Sequence, residues 1–139
     1  MAGELNALRD GYPIALLFSI TDPAANATTL LTTSKQGGRG WVVPAGYVFH
    51  PMVLAAASNA AVTAGTAIFN VCVAGVAIAN GPTAQLDTTN TQENTGVQRL
   101  GAAPIAAGSR VAVNIVASAG YLPVTADHDV ILSGVLAIA

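Results

Sequence analysis

Few side chains in this sequence are able to do chemistry, and they are scattered. The densest group is Asp127-His128-Asp129, one imidazole between two carboxylates. In an extended chain successive side chains point to opposite faces, so Asp127 and Asp129 share a side while His128 faces away. In a loop that constraint relaxes and the two carboxylates form a weak Ca²⁺ contact. A turn leading into a strand is the plainer reading. Cys72 is the single cysteine, which excludes an internal disulfide. It sits between Val71 and Val73, where nothing lowers a thiol pKa, and reads as a small packed hydrophobe. His50 is a lone imidazole among apolar residues and reads as a satisfied packing residue. Two histidines and one cysteine assemble neither a Ser-His-Asp nucleophile nor a zinc site. The expectation is therefore no enzyme, with no catalytic residue, no cofactor and no metal.

Two further patterns carry little. Lys35-Gln36-Gly37-Gly38-Arg39-Gly40 places cations among glycines, but lacks the spacing of a phosphate-binding loop and the helix that follows one. It reads as a flexible solvated loop. Asn26-Ala27-Thr28 fits a glycosylation acceptor. No basic segment followed by an apolar one marks the N-terminus for export, so a turn is the simpler account.

The elements that carry these residues read as strands. Ala67, Phe69, Val71 and Val73 alternate with Ile68, Asn70, Cys72 and Ala74, the period of two expected of a core strand. Thr63-Ala64-Gly65-Thr66 turns into it and Ala74-Gly75 turns out of it. Pro13 to Ile20 is apolar throughout and reads as a first strand, with Phe18 and Ile20 on one face. Trp41 to Ala57 reads as a strand pair or one long bent strand. Val48, His50, Met52 and Leu54 fall on one face, Tyr47, Phe49 and Val53 on the other, and Pro51 signals an edge or a bulge. Leu86 to Gly101 is a polar surface excursion of short strands and loops. Arg110 to Ala117 alternates again, as does Val130 to Ile138. Val43-Pro44-Ala45-Gly46 and Ile105-Ala106-Ala107-Gly108 echo each other, which convergent turn chemistry explains as well as duplication does. The sum predicts an all-β fold, a single jelly-roll-like β-sandwich of roughly eight strands with an N-terminal arm. Residues 1–40 hold the arm, the first strand and the flexible loop; residues 41–139 hold the sandwich domain.

Composition bears on the surface. Of 139 residues, 7 are acidic and 5 basic, a charged share of 9% against about 25% in an ordinary soluble domain. A folded chain of this mass exposes roughly 6,600 Å², or about one charge per 550 Å². That is sparse for a domain alone in water and predicts a surface covered by copies of itself or by another protein. A membrane is the weaker reading. The most apolar window, Met52 to Ala79, is interrupted by Ser58, Asn59, Thr63, Thr66 and Asn70 and has no basic flank. No stripe of Lys or Arg exists to hold nucleic acid.

The series Val43-Pro44-Ala45-Gly46, Val62-Thr63-Ala64-Gly65-Thr66, Val71 to Gly75, Ala106-Ala107-Gly108-Ser109-Arg110-Val111-Ala112-Val113 and Leu122-Pro123-Val124-Thr125-Ala126-Asp127 resembles β-sandwich domains of tailed-phage virion proteins. The likeness runs from about Val42 to the C-terminus. Relatives often carry Asn-Gly where this chain has Ala74-Gly75. The resemblance implies a capsid decoration (cement) protein that bridges capsomers on the outside of the shell. It further implies a homo-oligomer, a trimer, whose partner is the major capsid protein. Such a protein resides on the virion and is made in the host cytoplasm. The arm would be the tether, with Leu5, Leu8, Tyr12 and Trp41 as capsid or subunit contacts. A receptor-binding or fibre-head domain of a phage tail is the alternative. The absence of a long heptad or shaft repeat favours decoration.

Overall fold

A computed structural model describes residues 11–32 and 40–139. The arm with Leu5 and Leu8, and the loop from Lys35 to Arg39, lie outside the described residues. Among those described there is no helix, and eleven strands form. They are β1 (Tyr12–Ile20), β2 (Ala27–Leu30), β3 (Trp41–Val42), β4 (Tyr47–Ser58), β5 (Ala67–Val73), β6 (Val76–Ala77), β7 (Thr83–Leu86), β8 (Glu93–Val97), β9 (Ile105–Ala106), β10 (Arg110–Ala117) and β11 (His128–Ile138).

All pairings are antiparallel and make two packed sheets. One runs β1-β11-β4-β8, with β9 also on β4; the other runs β2-β10-β5-β6, with β3 on β10 and β7 on β5. The two-residue strands β3, β6 and β9 are continuations. β3 extends the β2 line along β10, β6 extends the β7 line along β5, and β9 extends the β8 line along β4. Eight strand positions remain, in agreement with the expected number. Successive positions alternate between sheets at most connections, so neighbours in a sheet are distant in sequence.

The alternation read from the sequence places the core. Phe69 and Val71 of β5, Val111, Val113 and Ile115 of β10, and Val130 and Leu132 of β11 are buried, as are Phe18 and Leu54 from β1 and β4. Along β4 strict alternation fails. Phe49 and Leu54 are five apart and both buried, because the β4–β11 register slips where Pro51 faces Gly134 and Val53 faces Ser133. Met52 is the extra residue, and it reverses which side chains point inward. Pro51 thus marks a bulge in a strand with neighbours on both edges. Trp41 and Tyr47 do not open one strand, since β3 and β4 lie in different sheets.

Both flanks of the sandwich are stitched. Ser19 and Thr32 exchange backbone hydrogen bonds of 2.9 and 3.0 Å, which ties β1 to the chain after β2. On the far flank β7 approaches β8, and the Asn94 amide donates to the Gln85 carbonyl at 2.8 Å. The approach requires glycine at position 96, where a Cβ would lie 1.6 Å from the Thr83 carbonyl oxygen.

The hairpin after β5 places Ala74 at φ 51° and Gly75 at φ 82°. Positive φ at both central residues is what a type I′ turn needs, and alanine pays about 1–2 kcal/mol there, where asparagine is better tolerated. Ala74→Asn is expected to raise stability by about 1 kcal/mol. An unchanged or lower denaturation midpoint would count against this turn.

Candidate functional site

Tyr12 opens β1 opposite Leu136 and is 40% exposed, whereas Trp41 is half-buried with its ring edge-on to Phe49, centroids 5.4 Å apart. They belong to different sheets, and strand pairing does not bring them together. Asn26 sits in a turn at φ 54° just before β2. Within β2, the threonines of a stretch with few large apolar residues pair with β10.

Asp127 and Asp129 are exposed and His128 is buried, as period-two geometry at a strand start requires. Among the described residues no three His, Cys, Asp or Glu side chains gather. Cys72 is fully buried, and burial pushes its thiol pKa up. His50 is half-buried but not satisfied: its Nδ1 is buried without a hydrogen-bond partner. The Asp87 carboxylate accepts the Asn90 and Thr89 backbone N–H groups, both at 2.8 Å, and the Gln85 amide at 2.9 Å. These bonds hold its pKa below the usual range.

One buried polar pair, between residues seven apart, has no signature in the alternation of the sequence. The Tyr121 hydroxyl lies 2.5 Å from His128 Nε2, and His128 Nδ1 lies 3.0 Å from the Ala126 carbonyl, with both side chains fully buried. A carbonyl only accepts, so Nδ1 carries the proton and Nε2 accepts from the tyrosine. Burial drives the His128 pKa down, against the upward pull of the Ala126 carbonyl and the two flanking aspartates. Burial also pushes Tyr121 up to about 12. The pair is closed to solvent and serves the core.

The surface offers a different feature. The outer face of the β1-β11-β4-β8 sheet is built in rungs, and no described element covers it. Ser19, Asp129, Ala57 and Glu93 form the rung at one end; Leu17, Ile131, Ala55 and Thr95 form the next. Ala15, Ser133, Val53 and Val97 follow, then Pro13, Val135 and His50. Leu17 is 58% exposed, Ile131 46% and Val97 74%. The alanines of β4 leave a shallow depression of about 560 Å³ between Leu17 and Ile131 on one side and Glu93 and Thr95 on the other. Asp129 and Glu93 are the only charges on these rungs. A sheet face with that composition is suited to contact with another protein rather than to water.

Charge is divided along the strand axis. Asp22, Asp87, Glu93, Asp127 and Asp129 all lie at the end where β1, β4 and β7 finish and β8 and β11 begin. Arg99, which follows β8, and Arg110, which opens β10, lie toward the opposite end. No helix among the described residues is long and apolar enough to cross a membrane.

No protein-family model matches this chain, and no curated protein matches it. Among solved structures, a chain of the cyanophage Pam1 capsid asymmetric unit is similar, with a TM-score of 0.52 and 14% identity. The match covers 90% of this chain and 85% of that one. At this identity the likeness is one of fold.

Proposed function

We propose that this chain is a structural protein of a tailed-phage particle that sits on the outside of the capsid and bridges capsomers. The observation that carries the reading is the nearly chargeless sheet face, an assembly surface with no chemistry attached to it. The winding adds support. Numbered by strand position, one sheet runs 1-8-3-6 and the other 2-7-4-5, the interleaving of a double-sheet jelly roll, an architecture used by viral capsid domains. The fold likeness to a phage capsid chain points the same way. The role needs no catalytic residue, cofactor or metal, and we read the protein as non-enzymatic.

A protein that binds only the assembled shell stabilises it by mass action, and many copies act on one cooperative structure. Particles lacking the protein are expected to assemble and to release DNA at a lower temperature than particles carrying it. Heat-triggered release from the two kinds of particle measures this. An unchanged release temperature with lost adsorption to host cells would favour a fibre-head role and overturn decoration.

A further inference from the structure

We infer that the crossing from β10 to β11, residues 119–127, is a latch that acid opens, lifting off the His128 ring while the strands of both sheets stay paired. The inference does not rest on the capsid reading. The crossing belongs to no strand and makes a single bridge, Leu122 to Ala64. Only Tyr121 and Ala126 of its side chains are buried. A short set of hydrogen bonds holds it down. The Tyr121 N–H donates to the Ser118 carbonyl at 3.1 Å, the Thr63 N–H to the Leu122 carbonyl and the Leu122 N–H to the Ala64 carbonyl, both at 3.0 Å. The Asn59 N–H donates to the Asp127 carbonyl at 3.0 Å, and the Asp127 N–H to the Asn59 side-chain oxygen at 2.9 Å. None of these bonds belongs to the ladders that join β10 to β5 or β11 to β4.

Both groups that satisfy the neutral His128 ring are supplied by this crossing. The Tyr121 hydroxyl donates to Nε2, and the Ala126 carbonyl accepts from Nδ1. The Tyr121 and Phe69 rings lie against the imidazole at centroid distances of 5.9 and 6.0 Å. No charge packs on the ring. Ser58 of β4 and Ile20 of β1 stand beside His128 in the ladders. The nearest carboxylates, Asp127 and Asp129 on either side in sequence and Asp22 past the end of β1, are exposed. Among the described residues Tyr121 is the only other titratable group hydrogen-bonded to the ring.

Lifting the crossing therefore takes away both partners of the ring and brings it into water. There it binds a proton at the ordinary value of about 6.5. With the crossing seated, burial keeps the ring neutral to lower pH. The proton is then a ligand of the open form alone and favours opening by mass action. Between pH 7.5 and pH 5 the opening equilibrium rises about 30-fold, provided the seated ring stays neutral. A segment anchored by one large side chain lies at the low-stability end of a fold, so it opens before the sheets do.

Amide hydrogen exchange of the full chain, read residue by residue at pH 7.5 and pH 5 and corrected for intrinsic rates, tests the latch. The amides of Asn59, Thr63, Leu122 and Asp127 are expected to lose protection about 30-fold in acid. Global unfolding releases the same ring, so amides at the centre of β10 lose protection in acid as well. What marks the latch is that its amides exchange faster than those of β10 and respond little to low urea, since a local opening exposes little surface. His128→Leu is expected to abolish the acid effect at the latch amides. Tyr121→Phe keeps the aromatic ring in place and is expected to raise their exchange at pH 7.5 at least about fivefold. If His128→Leu does not fold, the urea response and Tyr121→Phe decide. Latch amides that match β10 in protection and in urea response would overturn the inference. An acid effect that survives in His128→Leu, or unchanged exchange in Tyr121→Phe, would do the same.

Discussion

Replacing Gly96 with alanine is expected to cost about 4 kcal/mol or more, beyond the 1–3 kcal/mol of ordinary overpacking. The added methyl has nowhere to go. It would stand 1.6 Å from the Thr83 carbonyl oxygen and 2.6 Å from its carbon, both backbone atoms, so no rotamer change relieves the clash. β7 must move away from β8, which loosens the flank where the Asn94–Gln85 hydrogen bond ties the two sheets together. Alanine is otherwise a better strand residue than glycine, so propensity alone predicts the opposite sign. Gly120→Ala is the control, because a Cβ there meets nothing within 4 Å. It is expected to stay within about 0.5 kcal/mol of the parent. Urea denaturation of the two variants and the parent measures the difference; equal costs would mean that β7 and β8 are not so close.

The parts of this fold legible in the sequence are those set by local alternation. In β5 and β10 one alternate set, Ala67, Phe69 and Val71 with Val111, Val113 and Ile115, is large or β-branched apart from Ala67 and buried throughout. It announces its face without knowledge of its partners, although Cys72, Ala112 and Asn114 of the other set are buried as well. β4 was half legible. Pro51 signalled a bulge, but which residue is extra depends on the register with β11, and a one-residue slip exchanges the faces of everything beyond it. For that reason Leu54 fell on the wrong side and Phe49 was parted from it. β2 was not legible, because its threonines pair at the sheet edge and carry little apolar pattern. The crowding at Gly96 and the Tyr121–His128 bond are set by contacts between separate elements. The apolar outer face was visible only as a total, a chain with too few charges. Its location needed the rungs that place Leu17, Ile131 and Ala55 side by side.

Acid is expected to destabilise the sandwich through His128, starting well above the pH at which exposed carboxylates titrate. The ring is fully buried among Tyr121, Phe69 and the backbone of Ala126, with Asp127 and Asp129 beside it in sequence. In this setting the neutral form is satisfied at both nitrogens. Protonation puts a hydrogen on Nε2, where the Tyr121 hydroxyl already donates, and places a charge in the core. Burial lowers the pKa of His128 in the fold, so the unfolded chain takes up the proton first as pH falls. The contribution of the neutral ring is whole above the unfolded value of about 6.5 and declines below it until the folded ring protonates. Within that window the slope is about 1.4 kcal/mol per pH unit for the one proton. Denaturation midpoints measured between about pH 7.5 and pH 5.5 should therefore fall for the parent and stay nearly level for His128→Leu, whatever that variant loses at neutral pH. Tyr121→Phe leaves Nε2 without a donor and is expected to cost about 1–3 kcal/mol at neutral pH. Parallel pH profiles for the parent and His128→Leu would mean that His128 is not held neutral by the fold.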